Sequence, residues 1–116
     1  GPVSLLLALA ASGLNGQNFA FVGYLPQDGA ARTQRLRDLE NLAQKTGQTQ
    51  LFIETPYRNQ ALWDALVNGL QGHTRLARVS GLTLPSMQVH SQTVQVWRSA
   101  GKTQISGEPT VFLIGK

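Results

Sequence analysis

Residues 51–58 read Leu51-Phe52-Ile53-Glu54-Thr55-Pro56-Tyr57-Arg58. Three strongly apolar residues run straight into a carboxylate, and a threonine–proline pair follows. The apolar run reads as a short buried strand, Gln50–Glu54. The pair after it reads as the start of a helix, Pro56–Leu70, because threonine is a good N-cap and proline fits a first helical position whose N–H has no partner anyway. Glu54 then sits at the carboxyl end of a buried strand, the edge where open α/β sheets bind ligands. An acid, a phenol and a guanidinium arriving together at that edge mark a candidate site. A structural ion pair of Glu54 with Arg58, or with Arg78 on another strand, explains the acid equally well, since a buried carboxylate needs a partner.

The flanking sequence extends the pattern in both directions. Val3–Ser12 is rich in leucine and alanine, both strong helix formers, and Gly13 supplies a stop. A helix apolar on every side is a buried one, here shielded by more protein than this chain contains. Phe19–Leu25 reads as a strand ended by Pro26. Asp28 caps a helix running through Thr46, with Gly47 as its stop and Leu36, Leu39 and Leu42 or Ala43 as its apolar stripe. Arg75–Ser80 alternates charged and apolar residues and suits a strand ended by Gly81. Met87–Trp97 fits a strand through its valines and threonine, or the start of a short helix. Thr110–Gly115 is a last apolar strand. This alternation predicts one layered α/β/α domain over residues 1–116, with a mixed sheet of about five strands.

Composition narrows the chemistry. The chain has 116 residues, enough for one domain with a core, and 41% apolar against 14% charged residues is a globular balance. It contains no cysteine, which removes disulfides, thiolate metal sites and a cysteine nucleophile. His73 and His90 share no metal-ligand spacing, so no metal is expected. No P-loop, dinucleotide fingerprint or serine elbow is present. Net charge is +4, and arginines dominate the excess. Arg32, Arg35 and Arg37 crowd one predicted helix, either as a solvated face or as a phosphate-facing patch. No run reaches membrane-spanning length, and no membrane partner is expected.

Taken in order, several segments carry a family resemblance. They are Gly1-Pro2-Val3-Ser4 before a leucine/alanine helix, and Phe19-Ala20-Phe21-Val22-Gly23-Tyr24-Leu25-Pro26. An arginine-rich helix, the 51–58 stretch, Gly81-Leu82-Thr83, and Pro109-Thr110-Val111-Phe112-Leu113-Ile114-Gly115-Lys116 complete the set. The chain resembles the C-terminal half of the tetrapyrrole methylase superfamily, the class III S-adenosylmethionine-dependent methyltransferases. Its nearest likeness is to the branch that methylates ribosomal RNA of the small subunit.

The resemblance implies a two-domain cytoplasmic enzyme, commonly a dimer, with S-adenosylmethionine in a cleft between its halves and the N-terminal domain absent from this chain. It implies cofactor contacts at Val3, Ser4, Glu54, Gly81, Pro109 and Thr110. Val3 stands where the family more usually has serine. Glu54 stands where the porphyrin enzymes often have methionine. RNA is the implied substrate, with Tyr57, Arg58, Arg32 and Arg35 as candidate contacts. No catalytic base is assigned. A tetrapyrrole or other small-molecule methylase, and a non-catalytic binding module, are the alternatives.

Overall fold

In the computed structural model, which describes residues 2–82, 85–105 and 107–116 with side chains from residue 4 onward, one mixed sheet lies between two helical layers. Its elements in chain order are α1 (Pro2–Ser12), β1 (Phe19–Tyr24), α2 (Gly29–Thr46), β2 (Thr49–Ile53), a single 3₁₀ turn (Pro56–Arg58), α3 (Asn59–Gly69), β3 (Arg75–Ser80), β4 (Gln88–Thr93), α4 (Val94–Ser99) and β5 (Thr110–Gly115). The strand order is β1-β2-β5-β3-β4. β1 and β2 run parallel, while β5 runs antiparallel to both β2 and β3, and β4 antiparallel to β3. The carboxyl ends of β1, β2 and β3 therefore share one edge of the sheet with the amino end of β5.

Period-two alternation divides the strands between two cores. Phe52, Leu76, Phe112 and Ile114 face one side and pack under α2, α3 and α4 through Leu36, Leu39, Leu62, Trp63, Leu66, Val94 and Trp97. Leu51, Ala77, Val79, Val111 and Leu113 face the other side and meet Ala8 and Leu9 of α1. Every residue of β5 is buried, as expected for a central strand covered on both faces. The ambiguous 87–97 stretch is both things in turn, a strand and then a helix. Thr93 joins them: it ends β4, and its hydroxyl accepts from Val96 N to cap α4.

The helix α2 begins and ends where its caps demand. Asp28 accepts from Ala31 N at 3.0 Å, and Gly47 closes the helix at φ 76°. Ala43, not Leu42, completes the buried stripe. Within that stripe sits an acid that periodicity does not announce. Glu40 is buried; its Oε2 accepts from Gln71 N at 2.8 Å and from the Thr74 hydroxyl. It thus pins the α3–β3 turn onto α2. Glu40→Ala leaves the buried Thr74 hydroxyl without this acceptor, at about 1–3 kcal/mol, and removes the tie to Gln71 N as well. The expected result is a lower urea midpoint at unchanged m-value; a midpoint within error of the parent would show that the turn holds itself.

The helix α1 is covered on one side only. Ala8 and Leu9 are buried, whereas Leu6 and Leu7 stand 52% and 48% exposed. Within this chain the sheet supplies a single apolar surface for α1. No helix among the described residues is long and apolar enough to cross a membrane.

Candidate functional site

The strand ends build a crevice of about 570 Å³ at the shared edge of the sheet. Ile53 and Glu54 come to it from the end of β2, Gly81 and Leu82 from the end of β3, and Tyr24 from the end of β1. Pro109, Thr110 and Val111 enter at the start of β5, and Ser4 comes from the first turns of α1. The fold thus gathers Ser4, Glu54, Gly81, Pro109 and Thr110 around one cavity. Val3, the sixth predicted contact, lies outside the residues whose side chains are described, and so does Thr83 of the Gly81-Leu82-Thr83 motif.

Glu54 is 8% exposed. Its Oε1 accepts from Thr55 N at 2.8 Å and from the Thr55 hydroxyl at 3.3 Å, and lies 4.0 Å from an Arg58 Nη1. Among the described residues Oε2 has no protein partner. This corrects the reading of Thr55 as a side-chain cap. Its hydroxyl donates to Glu54 and caps nothing, and the helix opens with a 3₁₀ turn over Pro56–Arg58 before α3 starts at Asn59. Of the two ion pairs considered for Glu54, the one with Arg58 forms, at long range. Arg78 makes none, because it lies against Trp63 and Trp97 instead.

Tyr57 and Arg58 stand beside the crevice, following its lining residues Thr55 and Pro56, but do not line it. Tyr57 is 77% exposed, and the Arg58 guanidinium sits 4.8 Å from the centre of its ring. Arg32 and Arg35 are carried on α2 and are not among the crevice residues.

Sequence reading missed the residue that fixes the crevice's far wall. Asn59, at the first position of α3, is buried and donates through Nδ2 to the Glu108 carbonyl at 3.0 Å. The Thr110 hydroxyl donates to the same carbonyl at 2.9 Å. Next to Asn59, Gln60 donates to the Thr103 carbonyl and accepts from Ile105 N. The start of α3 thereby ties down the long connection into β5. A polar pair opening a helix is an ordinary pattern, and only the tertiary contact gives it this meaning.

A five-stranded mixed sheet in this order, with helices on both faces, is a tetrapyrrole-methylase-like fold. The methyltransferase CobJ superposes with a TM-score of 0.56 over 97% of this chain and 47% of its own, at 18% identity. The uroporphyrin-III C-methyl transferase from Thermus thermophilus, complexed with S-adenyl homocysteine, does so with a TM-score of 0.51 over 94% and 49%, at 20% identity.

In sequence the chain is homologous over most of its length to ribosomal RNA small subunit methyltransferase I. It is 31% identical to the Mycobacterium tuberculosis protein over 122 residues, which is 99% of this chain and 39% of that protein. It is 32% identical to the Pseudomonas aeruginosa protein over 123 residues, 99% of this chain and 40% of that one. The chain thus corresponds to the C-terminal part of these relatives. No family model matches it.

Proposed function

We propose that this chain is the C-terminal, cofactor-binding part of an S-adenosylmethionine-dependent methyltransferase that acts on RNA, with the ribose 2′-hydroxyl of ribosomal RNA as acceptor. The observation that carries the reading is the crevice at the carboxyl ends of β1, β2 and β3. It gathers five of the six residues that the family resemblance assigns to the cofactor.

The residues fit such a ligand. A volume of about 570 Å³ lies within the roughly 300–1,000 Å³ typical of small-molecule sites. Ile53, Leu82 and Val111 offer apolar surface. Gly81 lets the main chain come close. The open Oε2 of Glu54 is an acceptor for a hydroxyl or ammonium group, and the hydroxyls of Ser4 and Thr110 add polar contacts. S-adenosylmethionine supplies an already activated methyl group when bound. The work left to these side chains is to hold donor and acceptor in line and keep water out.

Tyr57 and Arg58, at the mouth, offer a ring for a base and a guanidinium for a phosphate. Arg32 and Arg35 extend the basic surface on α2. An N-terminal domain completes the cleft, the working molecule is a dimer in the cytoplasm, and Leu6 and Leu7 are covered in that assembly. The sequence relatives favour RNA over a tetrapyrrole as substrate.

Two measurements test this. The full-length parent is expected to move labelled methyl groups from S-adenosylmethionine to small-subunit RNA; activity on a small molecule alone refutes the RNA assignment. Calorimetry of the isolated chain with S-adenosylhomocysteine is expected to show weak or undetectable binding. Tight binding by an isolated monomer contradicts the two-domain cleft.

A further inference from the structure

Arg78 points from β3 into the helix-covered face of the sheet. Its guanidinium lies 4.5 Å from the ring centre of Trp63 and 5.1 Å from that of Trp97. The two indoles meet edge to face at 5.0 Å, and Trp97 Nε1 donates to the Leu76 carbonyl at 2.9 Å, so the aromatic seat is itself fixed. Cation–π attraction holds the cation in place but uses none of its N–H groups. Among the described residues no carboxylate lies within ion-pair distance of Arg78, no group accepts a hydrogen bond from it, and its Nη1 is buried without a partner. Burial pushes the guanidinium below its ordinary range, and no neighbouring acid offsets this. A half-buried charge gains from partners that offset its lost hydration, and among the described residues the two rings are the ones that supply them.

The surroundings suit an anion. His90 is paired with Arg78 across β3 and β4, so its side chain rises from the same face at a close cross-strand position. It is exposed, and its Nε2 lies 3.4 Å from Gln88 Oε1 on the same strand. Ser80, opposite Gln88, continues the polar row. A half-buried guanidinium that donates to no described residue, an imidazole and two polar neighbours, with no acid among them, match the acceptors of a phosphate oxyanion. None of these residues lines the crevice.

We propose that Arg78 and His90 form a phosphate-binding patch on the helix side of β3 and β4, separate from the crevice. Its source is the backbone of a bound RNA or a free phosphate ion; only the choice of RNA rests on the methyltransferase reading above.

The chain has two tryptophans, and both belong to the seat of Arg78, so intrinsic fluorescence reports on this patch directly. Inorganic phosphate titrated into the chain is expected to change the emission saturably. An RNA oligonucleotide is expected to do so at lower concentration, and added phosphate to compete with it. Arg78→Met keeps an unbranched chain between the rings and removes the donors; it is expected to weaken both responses by at least about tenfold. His90→Gln, at an exposed position, is expected to weaken them while circular dichroism stays unchanged. A phosphate response with none to RNA keeps the patch and assigns it to the free ion. Absence of any saturable change, or an equal response in Arg78→Met, overturns the proposal. Loss of RNA methylation in the parent with an intact phosphate titration would sink the methyltransferase reading and leave the patch standing.

Discussion

Phe112→Ala is expected to cost about 3–5 kcal/mol of folding stability, the range for deleting a fully buried aromatic ring. Phe112 has no exposed surface and stands in the middle of the central strand. Its ring stacks on Phe52 at 6.2 Å and meets Trp63 at 6.3 Å. Removing it empties the point where β2, β5 and α3 converge, and the neighbours cannot close in because β5 is hydrogen-bonded on both sides. Set against a typical total of about 5–15 kcal/mol, the loss is a large fraction of what holds the domain folded. Urea unfolding followed by far-UV circular dichroism measures it. Phe112→Leu, which refills part of the volume, is expected to lose distinctly less. Equal midpoints for the alanine variant and the parent would mean that the two cores do not depend on this ring.

The second large effect is expected at Gly81. Its φ is +67°, and a Cβ there would lie 3.1 Å from the Ser86 carbonyl oxygen, a main-chain atom that would have to give way. Valine at this position is therefore opposed twice. The left-handed backbone costs a side-chain residue about 1–2 kcal/mol, and the branched Cβ adds a clash. Relief requires the turn after β3 to move, and that turn is a wall of the crevice. In the full-length parent, Gly81→Val is expected to weaken S-adenosylhomocysteine binding by at least tenfold, about 1.4 kcal/mol. Gly69→Ala is the matched control: nothing lies within 4 Å of an added Cβ there, and alanine suits a helix better than glycine. Retention of full affinity by Gly81→Val would remove this turn from the binding surface.

Much of the fold was legible because its signals are local. The run Leu51–Ile53 stopped by Glu54, the cap at Asp28 and the glycine at 47 each depend on a few neighbouring residues, and each element stands where its pattern put it. Strand order, by contrast, is a long-range property, and no feature of Thr110–Gly115 announces that it inserts between β2 and β3. The same division runs through the site. Glu54 was marked by its place at a strand end and Ser4, Gly81, Pro109 and Thr110 by a resemblance, and geometry gathers them because strand ends meet at one edge. Asn59 escaped notice and Arg78 was considered only as a partner of Glu54, since their contacts rest on residues 49 and roughly 15–20 positions away, at Glu108, Trp63 and Trp97. The missing side-chain cap at Thr55 was unreadable for a subtler reason: its hydroxyl donates to Glu54, and sequence does not say which neighbour that hydroxyl will meet.

The position of β5 also governs how the chain is assembled. It is the last of the five described strands to be synthesised, yet in the sheet it lies between the β1–β2 pair and the β3–β4 pair. Until it arrives, two half-sheets expose long unpaired inner edges, and the pairings that join them link residues 30 to 64 positions apart. High contact order of this kind makes for slow folding and a window for mispairing on the ribosome. A nascent chain arrested before residue 110 is consequently a strong candidate for capture by chaperones, whereas the six residues of β5 join the two half-sheets into one.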